Sequence, residues 1–385
     1  MTKHYRPTKA VIDLGAIKKN LAAFQQKSGD AQVIAVVKAD AYGHGVLAVA
    51  KTVIENGVSM LAVATPDEAL FLRNEGIETE LLVMGATPSS FIPVAQQRNI
   101  IVTAVSLEWL SMAAVQLSPD LNELKIHLKV DTGMRRIGIQ LDEVDEAFGF
   151  IADHDFAFQG IFTHFATADE KDSSLFHEQV HAMNSVIDIL EDPSVMVHVS
   201  NSAAATMHPE LACDAVRIGI SLYGIAPSLY VGEEMDFKLY PALSLETEII
   251  HVKQIKTGEG LSYGATYRAE QDEWIATLPI GYADGMLRGL QGQDVLVKGQ
   301  RVPVVGRICM DQCMIRLSEK LPVGEKVQLI GHQGGQQIFI DEWARRLETI
   351  PYEIPCILTK RVPRIYSDST EVSNLPFQEP DIMLR

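Results

Sequence analysis

The stretch VIAVVKADAYGHGVLAVAKTVIENGVSMLAV, residues 33–63, decides how the first part of the chain should fold. It opens with an apolar run rich in β-branched residues (33–37), continues with apolar residues at helical spacing (47–55), and closes with a second apolar run (60–63). β-Branched side chains favour strands, and an apolar period of about 3.6 residues favours a helix. A strand, a helix and a strand in this order predict two parallel strands joined by a crossover helix.

The same alternation continues through most of the first 240 residues. Further strands are predicted at residues 81–84, 100–104, 124–130, 158–162, 195–199 and 215–218, and helices at 66–73, 107–115, 143–151 and 175–190. About eight such units predict an α/β fold, a closed (β/α)8 barrel of the TIM type. A doubly wound open sheet is the alternative, but the glycine fingerprint expected after its first strand is absent.

The pattern changes near residue 240. Strand-like segments follow at residues 243–255, 273–279, 294–297, 302–305, 313–317 and 325–330, with one amphipathic helix at 340–347. Turn-forming glycines separate several of these segments, as expected for a mainly β domain. The sequence therefore predicts two domains: residues 1–240 as the barrel and residues 241–385 as a mainly β domain that ends in a loose tail from Asn374.

Composition argues against several classes of function. The formal net charge is −17, and a surface this acidic repels phosphate backbones, so nucleic acid is not expected as a partner. The four cysteines suggest neither a disulfide framework nor a zinc site, and no metal is predicted. A polar N-terminus and the lack of any stretch of roughly 20 apolar residues favour a cytoplasmic protein without a membrane span.

Polar, ionisable and glycine residues recur where the predicted barrel strands end. They are Lys38, Lys129, Asp131, Arg136, His164, Asn201, Ser202, Arg217 and Gly219. In a (β/α)8 barrel the carboxyl ends of the strands carry the active site. We therefore expect these residues to converge on one face of the barrel.

Lys38 directly follows the apolar run 33–37. A lysine in this position is expected to be partly desolvated, which lowers the pKa of its amine from the usual value of about 10.4. The neutral amine can attack an aldehyde and form a Schiff base. Position alone favours an ordinary lysine that extends from the strand end to solvent. Whether Lys38 instead forms a Schiff base has to be judged from the surrounding motif.

The motif VVKADAYGHG, residues 36–45, resembles the cofactor-lysine signature of the alanine racemase family. Further motifs match that family in order along nearly the whole chain: KVDTGMRRIG (129–138), THF (163–165), NS (201–202), RIGISLYG (217–224), SYG (262–264), GYADG (281–285), CMD (309–311) and PYE (351–353). One departure is Arg135, where many members have a small residue; the following Ile137 and Gly138 identify Arg136 as the family's arginine. The resemblance implies an amino-acid racemase that uses pyridoxal 5'-phosphate.

The resemblance also implies a two-base mechanism. Lys38 would hold the cofactor as a Schiff base and act as one base, and Tyr263 of the partner subunit would act as the other. One base on each face of the substrate Cα lets a proton leave one side and return on the other. Arg217 would hydrogen-bond the pyridine nitrogen. Because arginine keeps its proton near neutral pH, the ring should be a weaker electron sink than in enzymes with an aspartate there.

The remaining implied assignments concern binding and support. The cofactor would be bound by Tyr42, Ser202, Gly219, Ile220 and Tyr352, with Asn201 beside them and His164 linking Arg217 to the partner's Tyr263. The substrate carboxylate would meet Arg136 and the backbone N–H of Met310. Supporting positions would be Lys129, which is N-carboxylated in many relatives, together with Arg288, Tyr282 as a gate at the entrance, Cys309 and Asp311.

Four functional hypotheses follow. The favoured one is a homodimeric racemase with shared active sites that interconverts L- and D-alanine and supplies D-alanine for peptidoglycan. A serine or broad-spectrum racemase of the same fold is the nearest alternative, and the pocket width around Tyr282 and Tyr352 would decide between them. A basic amino-acid decarboxylase would place an acidic residue where this chain has Arg217. A non-catalytic carrier of pyridoxal phosphate would not need the β domain that contains Tyr263.

Overall fold

The computed structural model describes residues 4–368, so the tail expected from Asn374 lies outside the described residues. The chain divides into two compact units. The first runs from Ile17 to Tyr240, and the second combines the described residues up to Ala16 with those from Pro241 onward. Within residues 4–368, no helix combines the length and the apolar character that a membrane crossing requires.

Eight parallel strands form the core of the Ile17–Tyr240 unit. Strand β1 (Lys9–Asp13) belongs to the other unit, and the eight that follow are β2 (Gln32–Val36), β3 (Met60–Val63), β4 (Glu80–Val83), β5 (Ile101–Ala104), β6 (Leu124–Lys129), β7 (Phe156–Phe162), β8 (Met196–His198) and β9 (Ala215–Ile218). Their order in the sheet is β8-β7-β6-β5-β4-β3-β2-β9. Most of their residues are buried, as in parallel sheets that are covered on both faces.

Backbone hydrogen bonds bring the two ends of this sheet together. Asp214 N–H donates to Val197 O at 3.0 Å, and Arg217 N–H donates to Ser200 O at 2.9 Å. These bonds join the region of β9 to the region of β8, so the sheet curls into a nearly closed barrel. The predicted (β/α)8 barrel is confirmed, and the open doubly wound sheet is not what forms.

Helices alternate with the barrel strands. They are α1 (Leu14–Lys27), α2 (Lys38–Tyr42), α3 (Val46–Glu55), α4 (Pro66–Asn74), α5 (Ile92–Gln97), α6 (Leu107–Gln116), α7 (Val144–Ala152), α8 (Ser174–Asp188), α9 (Ser202–Met207) and α10 (Leu229–Glu234). Local sequence explains where several begin. Thr65 and Glu68 form a capping box at the start of α4, and the Ser106 hydroxyl accepts from Trp109 N–H at the start of α6.

The second unit is mainly β, as predicted. Its strands after β1 are β10 (Leu243–Glu248), β11 (His251–Ile255), β12 (Gly260–Leu261), β13 (Tyr267–Arg268), β14 (Glu273–Leu278), β15 (Asp294–Val297), β16 (Gln300–Val305), β17 (Cys313–Leu317), β18 (Lys326–Gln333), β19 (Gln336–Ile338) and β20 (Arg364–Ser367). Its helices are α11 (Ile340–Arg346) and α12 (Glu353–Cys356). The main sheet runs β11-β14-β17-β16-β15-β18-β10-β1-β20, with β19 beside β18.

Two features of the second unit differ from the sequence analysis. Strand β1, which the sequence analysis grouped with the barrel, pairs antiparallel with β10 and parallel with β20. The single strand predicted at residues 243–255 is interrupted between β10 and β11. The chain changes partners at that point: Ile249 N–H donates to Glu325 O at 2.9 Å, and Ile250 N–H donates to Thr277 O at 3.0 Å.

Candidate active site

Arg217 lies in β9 at the centre of the barrel's polar cluster and is only 3% exposed. Its guanidinium donates to the carbonyl oxygens of Thr163 at 2.8 Å, Val199 at 3.0 Å and His198. Its Nη2 also lies 3.5 Å from His164 Nδ1. All these partners are neutral, and no carboxylate within residues 4–368 forms an ion pair with it. Burial lowers the pKa of Arg217 to about 9, so the group remains cationic near neutral pH.

A chain of two buried histidines continues from Arg217. Arginine can only donate, so His198 Nδ1, 3.1 Å from Arg217 Nη1, must accept. The His198 proton then sits on Nε2, which lies 2.8 Å from Nδ1 of His127. Burial, and to a lesser extent Arg217, lowers the pKa of His127 to about 3, and burial together with His127 lowers the pKa of His198 well below its usual range. Both rings are therefore neutral, and each tautomer is fixed by its neighbour.

The neutral His127 should make the protein less stable in acid. Unfolding returns its pKa from about 3 to 6.5, so the unfolded chain binds the extra proton and stability falls as the pH drops below 6.5. Between pH 7.5 and 5.0 this one group removes about 2 kcal/mol. We expect His127→Gln to lose less stability over the same range, measured from urea midpoints at the two pH values. Parallel losses in the variant and the parent would contradict this expectation.

Element α2 is not a right-handed helix, because the residues after Lys38 form a left-handed turn without glycine. Ala39, Asp40, Ala41 and Tyr42 have φ values of 54°, 53°, 53° and 51°. Each non-glycine residue in this region costs roughly 1–2 kcal/mol, so the surroundings must hold the turn. Main-chain bonds within the motif hold part of it, among them Gly43 N–H to Ala39 O at 2.9 Å. Two side chains add to them: Ala39 N–H donates to Glu68 Oε1 at 2.6 Å, and the Asp40 carboxylate accepts from the N–H of Val46 at 2.8 Å.

The turn places Lys38 and Tyr42 side by side at the end of β2. Lys38 is half-buried, and its Nζ lies 5.9 Å from the centre of the Tyr42 ring. Tyr42 is buried, and its ring packs 5.1 Å from the ring of Tyr223. The strained backbone therefore presents an amine and a phenol at the same strand end, where backbone strain often marks a functional site.

Ser202, Gly219 and Tyr42 form a second cluster beside this turn. Gly219 N–H donates to Ser202 Oγ at 3.0 Å. A Cβ on residue 219 would lie 2.6 Å from the Tyr42 hydroxyl, so only glycine fits here. Ile220 follows as the first residue of a short 3₁₀ helix, and Asn201 caps α9 by accepting from Ala204 N–H at 3.0 Å. Two hydroxyl groups beside a bare backbone suit a bound anion.

Cationic side chains concentrate at the same face of the barrel. Burial first, and then Arg217 and Arg136, lower the pKa of Lys129 well below its usual range. Burial, followed by Arg217, Lys129, Arg136 and Lys38, likewise lowers the pKa of His164 well below its usual range. Each of these groups is near enough to influence the pKa of Lys129 or His164. A positive cluster within a chain of net charge −17 would favour an anion at this face.

In the second unit, three predicted residues are exposed on loops. Tyr263 is 71% exposed, Tyr282 is 38% exposed and Met310 is 53% exposed. Ser262, directly before Tyr263, has φ 65°, and its hydroxyl donates to Arg307 O at 2.7 Å. Large exposed apolar side chains carried on a firmly held backbone are typical of a binding surface.

Other predicted residues make fewer contacts with the rest of the candidate site. Arg136 and Arg288 are exposed, and within residues 4–368 neither forms a hydrogen bond to another predicted residue. Tyr352 is half-buried at the start of α12. Arg135, the departure from the family pattern, has φ 58°, and its guanidinium donates to Gln140 Oε1 at 3.3 Å.

The comparisons with known proteins agree with these motifs. The family described as alanine racemase, N-terminal domain, matches residues 12–227, and the corresponding C-terminal domain matches residues 242–366. The chain belongs to the alanine racemase family. It is 48% identical over 367 residues to alanine racemase of Anoxybacillus flavithermus, covering 94% of this chain and 95% of the relative. It is 45% identical to alanine racemase 1 of Bacillus subtilis, covering 96% and 95%.

Solved structures give the same result. The crystal structure of alanine racemase from E. faecalis superposes with a TM-score of 0.92 at 44% identity, covering 95% of this chain and all of that one. The alanine racemase family uses pyridoxal 5'-phosphate. The barrel residues fit this group: Lys38 can bond its aldehyde, the hydroxyls of Tyr42 and Ser202 beside the backbone of Gly219 suit its phosphate, and the buried Arg217 is a cationic donor.

Sequence reasoning missed several residues that support these sites. His198 and His127 hold Arg217 in the barrel, and Asp284 and Arg361 hold the loops of Tyr282 and Met310 in the second unit. The one sequence feature that pointed to His127 was its position as a histidine within the apolar run 124–130. The partner of each of these residues could not be identified from nearby sequence, because the pairs come together only in the fold.

Proposed function

We propose that this chain interconverts L- and D-alanine as a homodimer, with Lys38 and Tyr263 of the partner subunit as the two bases, and so supplies D-alanine for peptidoglycan. Membership of the alanine racemase family supports the substrate. The observation that carries the mechanism is Arg217, a buried cation whose protein partners are all neutral. A decarboxylase of the same fold would need a carboxylate in its place.

Bound pyridoxal phosphate withdraws electrons from the substrate's Cα and makes its proton acidic. Lys38 holds the cofactor and moves a proton at its Nζ on one face of the Cα. Its half-buried position beside Tyr42 limits the number of arrangements that the amine can adopt. Tyr42, Ser202 and Gly219 would hold the phosphate of the cofactor and so keep its aldehyde end near Lys38.

Arg217 and His164 control charge at the other end of the cofactor. Arg217 would hold the ring nitrogen of the cofactor by a hydrogen bond and, because it keeps its own proton, would leave that nitrogen unprotonated. His164 is neutral because burial and Arg217 lower its pKa, and it accepts from Arg217 at 3.5 Å. Because the His164 imidazole is neutral, it can help the partner's Tyr263 to act as a base.

The second unit completes the site of the other subunit. The exposed Tyr263 moves a proton on the second face of the Cα, and Met310 N–H binds the substrate carboxylate together with Arg136 from the barrel of the other subunit. Tyr282 narrows the entrance so that alanine enters more readily than larger amino acids. Lys129 lies beside these cations, and a carboxylated Lys129 would neutralise part of their charge.

Purified protein with added pyridoxal phosphate should convert L-alanine to D-alanine. We expect L-serine to react at least tenfold more slowly, since a small pocket discriminates by roughly 10–200-fold for one added group, and L-lysine not to react. Chiral chromatography of the products measures all three reactions. Equal rates with alanine and serine would contradict alanine specificity, and bound cofactor without racemisation would contradict the proposed activity.

A further inference from the structure

The loops that carry Tyr282 and Met310 are bonded to each other through their main chains. Tyr282 N–H donates to Cys309 O at 3.0 Å, and Ala283 N–H donates to Met310 O at 3.0 Å. A Cβ on Gly281 would lie 2.3 Å from Cys309 O, so the approach requires glycine at this position. Any movement of one loop is therefore transmitted to the other.

Asp284, two residues after Tyr282, is a fully buried carboxylate with two cationic partners. Arg6 Nη1 donates to its Oδ1 at 2.8 Å, and Arg361 Nε lies 3.3 Å from the same oxygen. Its other oxygen accepts from Gly281 N–H at 3.1 Å. A carboxylate without these partners would be costly to bury, so the turn depends on both arginines.

Arg361 reaches the second loop as well. Its Nη2 donates to Asp311 Oδ1 at 2.7 Å, directly after Met310. The Arg361 side chain is 46% exposed and that of Asp311 is 59% exposed, so this pair alone contributes little to stability. Its effect is geometric, because one guanidinium is bonded both to the carboxylate behind Tyr282 and to the carboxylate beside Met310.

The segment around Arg361 is itself fixed to the Tyr282 turn. Thr359 Oγ1 donates to Ala283 O at 2.9 Å, and Thr359 N–H donates to Asp284 O at 3.1 Å. These two Thr359 bonds hold the backbone beside Arg361 against the Tyr282 turn, so the position of Arg361 is set before any substrate arrives. Arg364 adds stability to the segment by donating to the carbonyl oxygens of Leu358 at 2.6 Å and Thr359 at 2.7 Å.

We propose that Arg361 and Asp284 are positioning residues for substrate selection: they set the separation of Tyr282 and Met310 and thereby the width of the substrate entrance. The proposal rests on the proposed function, which assigns Tyr282 and Met310 to the substrate. Neither Arg361 nor Asp284 touches the reacting atoms. Their role is to keep the two loops at the spacing that admits alanine and hinders larger side chains.

The test compares Arg361→Gln with Arg364→Gln in the holoenzyme. We expect Arg361→Gln to raise KM for L-alanine about tenfold and change kcat less than about threefold, because it loosens binding without touching either base. Its preference for alanine over serine should fall by a similar factor. Arg364→Gln weakens the same segment without removing a bond to Asp284 or Asp311, so it should lower Tm and leave the preference unchanged.

Asp311→Asn provides a second variant if Arg361→Gln folds poorly, since Asp311 is exposed and the change is isosteric. It should weaken the preference for alanine by a smaller factor. Unchanged KM and preference in a folded Arg361→Gln protein, or equal changes in Arg364→Gln, would overturn the proposal.

A measurement without substrate separates this proposal from the proposed function. Hydrogen exchange should accelerate at least tenfold at the amides of Tyr282 and Ala283 in Arg361→Gln, because their bonds to residues 309 and 310 open more often. Exchange in strand β15 should not change. If the parent racemised no amino acid, the proposed function would fail, while faster exchange would still establish that Arg361 holds the loops. Unchanged exchange would overturn the role of Arg361 even in an active racemase.

Discussion

Lys38→Ala should abolish racemisation and covalent attachment of pyridoxal phosphate together. The variant loses the amine that bonds the cofactor and one of the two bases, and loss of a base alone is worth roughly 10²–10⁴-fold in rate. Borohydride reduction followed by mass spectrometry measures the attachment, and D-alanine formation measures the rate. The left-handed turn at residues 39–42 does not depend on the Lys38 side chain, so the barrel should still fold.

Lys51→Ala is the matched control. Lys51 is exposed on helix α3, and the change removes one positive charge from the same unit. The control should retain cofactor attachment and full activity. Retained attachment in Lys38→Ala would show that another lysine bonds the cofactor, with Lys129 as the nearest candidate in the cationic cluster.

The barrel could be predicted from the sequence because its signal is local. A parallel strand is apolar throughout and its crossover helix is amphipathic, so each unit of about 30 residues carries its own pattern. Strand β1 shows where this reasoning fails. A five-residue strand with alternating burial is compatible with the barrel and with the β domain alike. Its membership is determined by the strands that it pairs with, β10 and β20, which lie more than 200 residues away.

The left-handed turn after Lys38 could not be predicted either. Alanine normally avoids positive φ, aspartate adopts it only occasionally, and neither usually does so in a run of four residues, while no glycine precedes Gly43 in this turn. Main-chain bonds within the motif hold the turn, and the bond from Ala39 N–H to the Glu68 carboxylate, 29 residues away, stabilises it further. The motif identified Lys38 through a family resemblance, whereas this distant contact of the turn became visible only in the fold.

The candidate site likewise contains residues that could be predicted from the sequence and residues that could not. Strand-end residues such as Lys129 and Arg217 could be predicted because barrel topology brings strand ends together. The pair formed by His198 and His127 could not, since a histidine in an apolar strand does not reveal a partner 71 residues away. Arg6 and Asp284 are separated by 278 residues, and no periodicity connects them.

Tyr263→Phe should impair proton exchange in one direction of racemisation more than in the other. The change removes one hydroxyl that serves one face of the Cα, and we expect a loss of roughly 10²–10⁴-fold in rate. Transfer of deuterium from D₂O into the Cα of each enantiomer measures the two directions separately. Tyr263 is 71% exposed, so Tm should not change. Equal, mild losses in both directions would identify a structural tyrosine.

Tyr267→Phe is the matched control in the same hairpin. The Tyr267 hydroxyl donates to the buried Glu273 carboxylate, so this variant should lose about 1.5–3 kcal/mol of stability and keep its exchange rates.

Mixing Lys38→Ala with Tyr263→Phe tests whether each site is shared between subunits. A mixed dimer has one site with both bases if Lys38 and Tyr263 come from different chains. Subunit exchange between the two inactive variants should then restore about a quarter of the parental activity in an equal mixture. No restoration, with exchange verified by mass spectrometry, would show that both bases come from one chain.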